Sequence, residues 1–327
     1  MPSSTEPARL ADRLSLLDQL AVERGIGLER DVPLGPLTTL RVGGAADRMA
    51  TAGTPGELVA ALEMARAAGV PAGVLGKGSD VVVADAGVRG LVIRNRADAI
   101  EMDGRMLHAA SGAAMATLVK RCTAAGLAGI EFGISIPGSV GGAVWANAGA
   151  HGGEMKDVVT SVEAWSPDGG AATLANAACA FGYRDSRFKG SGEIVLGAGF
   201  ELDSGDGARI AARVADHQAQ RKATQPLADQ NAGSVFRNPP DDHAGRLVDA
   251  AGLKGFRIGS AQVSTLHANF IVVDRGGSAA DVRAVGDHVR AVVADAYRIE
   301  LEYEIEFVGD WGGDDSWSTP TRRLAGV

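Results

Sequence analysis

The sequence predicts an α+β fold built from two packed domains. Three observations carry this. The chain has 327 residues, too long for one minimal core and short for three independent ones. Segments of helical period alternate with short apolar runs bounded by turn residues, in an order that does not give a single doubly wound sheet. There are 45 glycines without a collagen period, which calls for tight turns and for backbone that approaches a ligand closely.

The elements follow in order. Residues 8–24 carry leucines at 10, 14, 17 and 20, one apolar face at helical spacing. Thr54-Pro55-Gly56-Glu57 supplies a cap, a proline at the first helical position and an acid three residues on. The helix it opens runs to about Ala68, and Gly69 ends it. Residues 72–75, 81–84 and 91–93 read as strands joined by tight turns. A helix over 113–125 stops at Gly126. Residues 161–165 and 171–174 flank Ser166-Pro167-Asp168-Gly169-Gly170 and read as a hairpin. Residues 193–202 form a further strand. A polar helix over 208–223 is expected to bridge to a second domain. That domain holds a helix at 245–251, a strand at 262–273, a helix at 278–297 with Ser278 and Asp281 resembling a capping box, and a strand at 301–307. The tail from Gly309, rich in Gly, Asp, Ser and Thr, is expected to be mobile.

The net charge of −8 argues against nucleic acid and anionic membrane surfaces as partners. The stretch from Arg184 to Arg257 holds eleven Lys/Arg against ten Asp/Glu, so a site for a small anion is best sought there; ordinary surface variation gives the same count. Cys122 and Cys179 sit in no CxxC or metal-ligand spacing, so no metal site is expected and a reducing compartment is the simpler inference. Met1 to Asp12 has no apolar signal core, and no run of 18 apolar residues occurs. The expectation is a cytoplasmic protein without membrane insertion.

Four segments carry possible chemistry. Leu75-Gly76-Lys77-Gly78-Ser79-Asp80 can converge backbone N–H groups on an anion, although it fits neither a Walker A nor a GxGxxG pattern; a bare turn between strands reads the same way. The run from Ile134 to Ala150, Ile-Ser-Ile-Pro-Gly-Ser-Val-Gly-Gly-Ala-Val-Trp-Ala-Asn-Ala-Gly-Ala, suits a flat ligand lying on backbone, or a structural crossover. Ser234, in Asn231 to Pro239, follows Gly233 but makes no G-x-S-x-G elbow; by itself it is an ordinary turn serine. In Leu301 to Phe307 strict alternation puts Glu302, Glu304 and Glu306 on one face, by pattern alone a solvated one.

Together these segments closely resemble the UDP-N-acetylenolpyruvoylglucosamine reductase family, MurB. The matching pieces, in the family's order, are Thr39 to Ala46, Leu75 to Ser79, Ile136 to Ala143 with Asn147 to Ala150, Tyr183 to Lys189, Ala232 to Pro239, Ala251 to Gly255, His267 to Phe270, and Leu301 to Glu304. They cover roughly residues 34–308. The resemblance implies an FAD-binding fold of the vanillyl-alcohol-oxidase type in two subdomains, about 21–100 and 101–205, after an N-terminal extension over 1–20. A C-terminal α+β substrate-binding domain over 206–309 and the tail over 310–327 complete the chain. The short link after Lys189 resembles the compact subgroup that lacks a substrate-covering insertion.

The resemblance also implies roles. FAD, bound non-covalently, is reduced by NADPH and passes hydride to the β-carbon of a UDP-sugar enolpyruvyl substrate, a step of bacterial peptidoglycan precursor synthesis. Arg184 and Glu304 match the positions that stabilise the negative charge that develops. The glutamate does so only if protonated or sharing a proton. Ser234 matches the general acid for the α-carbon. Leu75, Gly76, Lys77, Gly78, Ser79, Asp80, Pro137, Gly138, Ser139, Gly141, Gly142, Asn147 and Arg221 are expected at the cofactor, and Tyr183, Arg237 and Asn238 at the substrate. Asp80 stands where the family usually has Asn, Ser135 for a common Gly, Arg237 for a common Lys and His151 for a common aromatic. The alternative is a paralogous flavin oxidoreductase or oxidase of the same superfamily. Many such oxidases tether flavin through a histidine in a Gly-rich loop, and Gly76 to Asp80 has none. A monomer is compatible with the sequence.

Overall fold

The structure is a computed structural model and describes residues 6–312. Most of the tail expected to be mobile, and the first five residues of the expected extension, lie outside the described residues.

Three lobes surround a central cavity. In the first, α1 (Glu6–Arg24) and α2 (Pro55–Ala68) cover one face of a four-stranded sheet. The sheet order is Glu29–Pro33, Ala45–Ala52, Val88–Asn95, Ala72–Leu75. Helix α2 begins as the sequence predicts: Thr54 Oγ1 accepts from the Glu57 N–H at 3.2 Å, and Gly69 closes the helix at φ 65°. Such a cap contributes about 1 kcal/mol. Helix α1 buries Leu17 and Ala21 against α2 and runs unbroken past residue 20, so the expected extension and the segment after it form one helix.

The runs at 72–75, 81–84 and 91–93 are extended, but they are not hairpins. Ala72–Leu75 pairs parallel with Val88–Asn95. Val81–Val83 leaves that sheet and pairs parallel with Glu306–Val308. The reason is burial on both sides. Val81 and Val83 enter the first lobe's second core, whereas Val82 enters the third lobe's core. A strand whose two faces feed two cores needs a partner that reaches both.

The second lobe is a five-stranded antiparallel sheet, Gly170–Ala175, Val159–Ser166, Ile194–Glu201, Met106–Ala110, Ile100–Asp103. The expected hairpin closes with Ser166 opposite Gly170. Helices α3 (Met115–Ala124), α4 (Val140–Trp145) and α5 (Arg187–Ser191) pack on or beside this sheet. Helix α6 (Gly207–Thr224), expected to open the second domain, packs on this lobe instead. Its Val214 enters the lobe's core and its Arg213 pairs with the buried Glu131 at 3.2 Å. The boundary expected at 205 therefore falls before a helix that belongs, by packing, to the preceding lobe.

The third lobe packs α7 (Ala244–Ala250) and α8 (Ala279–Tyr297) against a four-stranded antiparallel sheet, Gln230–Asn231, Ile271–Val273, Ala261–Val263, Arg257–Ile258. The single strand expected over 262–273 is two strands. Ser264 Oγ accepts from the Leu266 and His267 N–H groups, and His267 Nδ1 accepts from the Asn269 N–H. These local bonds turn the chain between the two apolar runs. Ser278 caps α8, but Asp281 binds Ser260 rather than reaching back to the cap residue, so the capping box is incomplete. Among the described residues no helix is long and apolar enough to cross a membrane.

Of the expected strand at 301–307 only Glu306 and Phe307 lie in a ladder, which continues to Val308. The rest is extended and changes partner midway. The Arg237 N–H donates to Glu302 O and the Glu304 N–H to Val235 O, whereas the Glu306 N–H donates to Asp80 O. Glu304 thus sits at the seam between the third lobe and the first.

Candidate active site

A cavity of about 290 Å³ lies where the three lobes meet. One wall is backbone and small side chains from the crossover: Pro137, Gly138, Ser139, Gly142, Ala146 and Gly149. Gly138 has φ 116°, and a Cβ there would stand 2.7 Å from Ser79 Oγ. Ser79 Oγ in turn donates to Pro137 O at 3.1 Å. The two glycine-rich segments, far apart in sequence, are therefore joined at this edge.

The opposite wall is polar and comes from four separate segments. Asp80 and Ser79 follow the first lobe's loop. Ser234 and Glu304 are neighbours because residues 235–237 and 302–304 run side by side, with Phe236 bridged to Tyr303. Asn269, in the turn before Ile271–Val273, clamps Phe236, its Oδ1 accepting from the Phe236 N–H and its Nδ2 donating to Phe236 O. Arg184 projects from a turn closed by Gly182 and Asp185 and holds φ 51°. Its Nε donates to Glu304 Oε1 at 2.9 Å and its Nη2 to Gly149 O at 2.8 Å. A non-glycine residue in this region costs of order 1–3 kcal/mol and persists only when its surroundings over-determine it. Here two side-chain bonds and the turn do so.

Burial pushes the Glu304 carboxyl above its usual range, although the Arg184 charge opposes the shift. Asp80 rises well above its usual range, first from burial and then from the charges of Glu304 and Glu306. Arg221, at the end of α6, donates to Gln225 and has its guanidinium lowered by burial. It also lines an adjoining hollow of about 760 Å³ with Arg41 and Arg275. Tyr183, Arg237 and Asn238 line a third hollow of about 470 Å³, where Tyr183 Oη accepts from the Asn238 N–H at 3.3 Å. Arg237 stands 3.6 Å from Glu302, and its buried Nε has no partner within the described residues. At the cavity's rim His151 stacks on His217 with ring centres 3.8 Å apart, and its Nε2 lies 2.8 Å from Ser135 Oγ.

Of the residues expected at the cofactor, Ser79, Asp80, Pro137, Gly138, Ser139, Gly142 and Arg221 line the cavity, as do Arg184, Ser234 and Glu304. Six others line neither this cavity nor the adjoining hollow. Leu75 is buried in the first lobe and Lys77 is exposed beside Gly76. Gly78, at φ 63°, packs on Leu37 and Thr38, and Gly141 packs on Ser111. Asn147 is fully buried with its amide engaged inside the protein: Nδ2 donates to Gly182 O and to Glu154, and Oδ1 accepts from the Lys156 N–H. Through the Gly182 carbonyl it holds the Arg184 turn. Sequence reasoning gave no role to Asn269 or Lys189. The His267 to Phe270 and Tyr183 to Lys189 matches contained both, without showing what they touch.

Residues 46–175, which supply the backbone wall of this cavity, match the FAD binding domain family, and the chain is a flavin-binding oxidoreductase. Residues 225–308 match the UDP-N-acetylenolpyruvoylglucosamine reductase C-terminal domain. The chain is 40% identical to UDP-N-acetylenolpyruvoylglucosamine reductase 2 of Symbiobacterium thermophilum, over 90% of this chain and 94% of that one. It is 42% identical to the Heliobacterium modesticaldum reductase, over 89% and 93%. The crystal structure of MurB from Thermus caldophilus superposes with a TM-score of 0.74 at 36% identity, covering 86% of this chain and 99% of that one. The chain belongs to the UDP-N-acetylenolpyruvoylglucosamine reductase family.

Proposed function

We propose that the protein reduces UDP-N-acetylglucosamine enolpyruvate to UDP-N-acetylmuramate with NADPH through bound FAD, as a cytoplasmic step of peptidoglycan precursor synthesis. The observation that carries this reading is the convergence of Arg184, Ser234 and Glu304, from three distant segments, on one cavity with the glycine-rich crossover. The first two lobes serve the cofactor and the third serves the substrate. The fit to FAD rests on the backbone cradle at Gly138, where a Cβ would collide with Ser79. Gly138, Ser139, Gly142, Ser79 and Arg221 would hold the cofactor. When bound, FAD supplies the chemistry of taking a hydride from NADPH and giving it to the enolpyruvyl β-carbon.

The remaining work falls to the chain. Arg184 gives the developing enolate and carboxylate a charge-assisted donor. Glu304, raised by burial, adds a donor only while it holds a proton. Ser234 gives its proton to the α-carbon, driven by the basicity of the enolate. Tyr183, Arg237 and Asn238 take the UDP portion in the hollow that they line. Cys122 and Cys179, both buried and unpaired, accord with a reducing compartment.

Stopped-flow measurement of Ser234→Ala tests the reading. Reduction of the bound cofactor by NADPH keeps the parent's rate, and reoxidation by the enolpyruvyl substrate slows about 10²–10⁴-fold. Ser234→Cys recovers part of the loss. Reoxidation at the parent's rate in Ser234→Ala removes Ser234 as the acid.

A further inference from the structure

Lys189 is a buried cation to which the reaction gives no part. Its side chain is 10% exposed, and a lysine is rarely buried so far unless it is paired. Helix α5 carries it, and that helix is seated on the crossover: its cap residue Ser186 donates through Oγ to Trp145 O at 2.6 Å. The Lys189 ammonium has two partners. It lies 4.1 Å from the centre of the buried Trp145 ring, on the crossover, and 3.5 Å from Oε1 of the half-exposed Glu306, on the last described strand. It thus exchanges water for an aromatic face on one side and a carboxylate on the other. Arg184 is placed in the same way. Its Nη2 donates to Gly149 O, on the crossover, and its Nε to Glu304 Oε1. The two cations therefore span the same two segments, Arg184 from 149 to 304 and Lys189 from 145 to 306. Among the described residues no backbone hydrogen bond joins these segments directly, so at this end of the cavity side chains make the link.

We propose that Lys189 is a positioning residue of the reductase: with Glu306 it fixes the last strand against the crossover, and so holds the Arg184–Glu304 pair where it meets the substrate's anion. The proposal rests on the reductase reading. Lys189 lines neither the cavity nor the two adjoining hollows, so it acts through Arg184 and Glu304. Glu306 stands two residues on from Glu304 on the same face of the extended chain, and a shift of the strand at 306 is passed to 304. A misplacement of about 1 Å can slow a reaction on the order of 10²-fold.

Lys189→Met keeps the apolar stem and removes the charge. Glu306→Gln removes the partner from the half-exposed side, where the fold is less disturbed. In both variants reoxidation by saturating enolpyruvyl substrate slows roughly 10–100-fold. Reduction by NADPH and the FAD Kd stay at the parent's values, because the crossover keeps its own fastening to Ser79. Lys189→Arg, which keeps the charge, recovers part of the rate. The double variant is no slower than the slower single one, and a double-mutant cycle in Tm shows the same coupling. A lysine that only stabilised the fold would lower Tm and slow both half-reactions alike. Reoxidation at the parent's rate in Glu306→Gln, equal slowing of both half-reactions, or losses that multiply in the double variant overturn the proposal. If the enolpyruvyl substrate fails to reoxidise the parent at all, the reductase reading falls, and the cycle in Tm still decides whether Lys189 and Glu306 are joined.

Discussion

The crossover at 136–150 and the segment at 301–307 form opposite walls of one cavity, and they reach it by different routes. The crossover does so through what it lacks. Small residues let its backbone close on Ser79 and leave a smooth wall. The 301–307 segment does so through a change of partner. Glu302, Glu304 and Glu306 share one face of an alternating run, yet each meets a different fate. Glu302 is exposed beside Arg237, Glu304 is half-buried on Arg184, and Glu306 lies by Lys189. The first wall is a property of local composition. The second exists only because the chain passes from Val235 to Asp80 between Glu304 and Glu306.

If the walls divide the labour, with the crossover holding the cofactor and the charged wall handling the substrate's anion, variants should separate the two. The largest effect is expected at Arg184→Ala. Loss of a positioned donor slows reoxidation roughly 10²–10³-fold and leaves FAD affinity as it was. An equal fall in FAD affinity, read by fluorescence titration, would break the division. Gly142→Val should do the reverse. Overpacking costs about 1–3 kcal/mol, so the FAD Kd rises roughly 5–150-fold, while the fraction still loaded turns over normally. An unchanged Kd in the folded variant would remove the crossover from the cofactor wall. Asn147→Ala sharpens the comparison at smaller scale. It strands the Gly182 carbonyl and the Lys156 N–H, which costs about 1–3 kcal/mol of stability. Its Tm falls and its FAD affinity holds. A weakened Kd at an unchanged Tm would return Asn147 to the cofactor contacts that the sequence assigns it.

What was legible in the sequence follows the same line. Helix starts and stops with local causes came through: Thr54 and Gly69 around α2, and Gly126 after α3. Elements defined by distant partners did not. Val81–Val83 carries no local sign that its partner lies beyond residue 305. The polar helix α6 looked like a linker because its buried contacts are few, Ile210 and Val214 with the Arg213–Glu131 pair, and periodicity registers charge more than contact. Within the site, the resemblance picked out Arg184, Ser234 and Glu304. Asn147, Gly78 and Gly141 sit in the same motifs and lie against the protein's own backbone and side chains, outside the lining of the cavity. A motif marks positions that a fold requires and does not say whether a ligand or the chain itself is the partner.

The parallel pairing of Glu306–Val308 with Val81–Val83 also bears on how the molecule is made. Chains emerge from the ribosome N-terminus first, and domains generally fold as units in that order. A nascent chain released as far as Glu300 has all the residues of the cradle, but Asp80 lacks its neighbour, and the face of Val82 that joins the third core is uncovered. The cavity is finished by nearly the last described strand to leave the exit tunnel. The residues of the cradle are thus made before the strand that closes the seam beside Glu304, and the charged wall is the later of the two to be assembled.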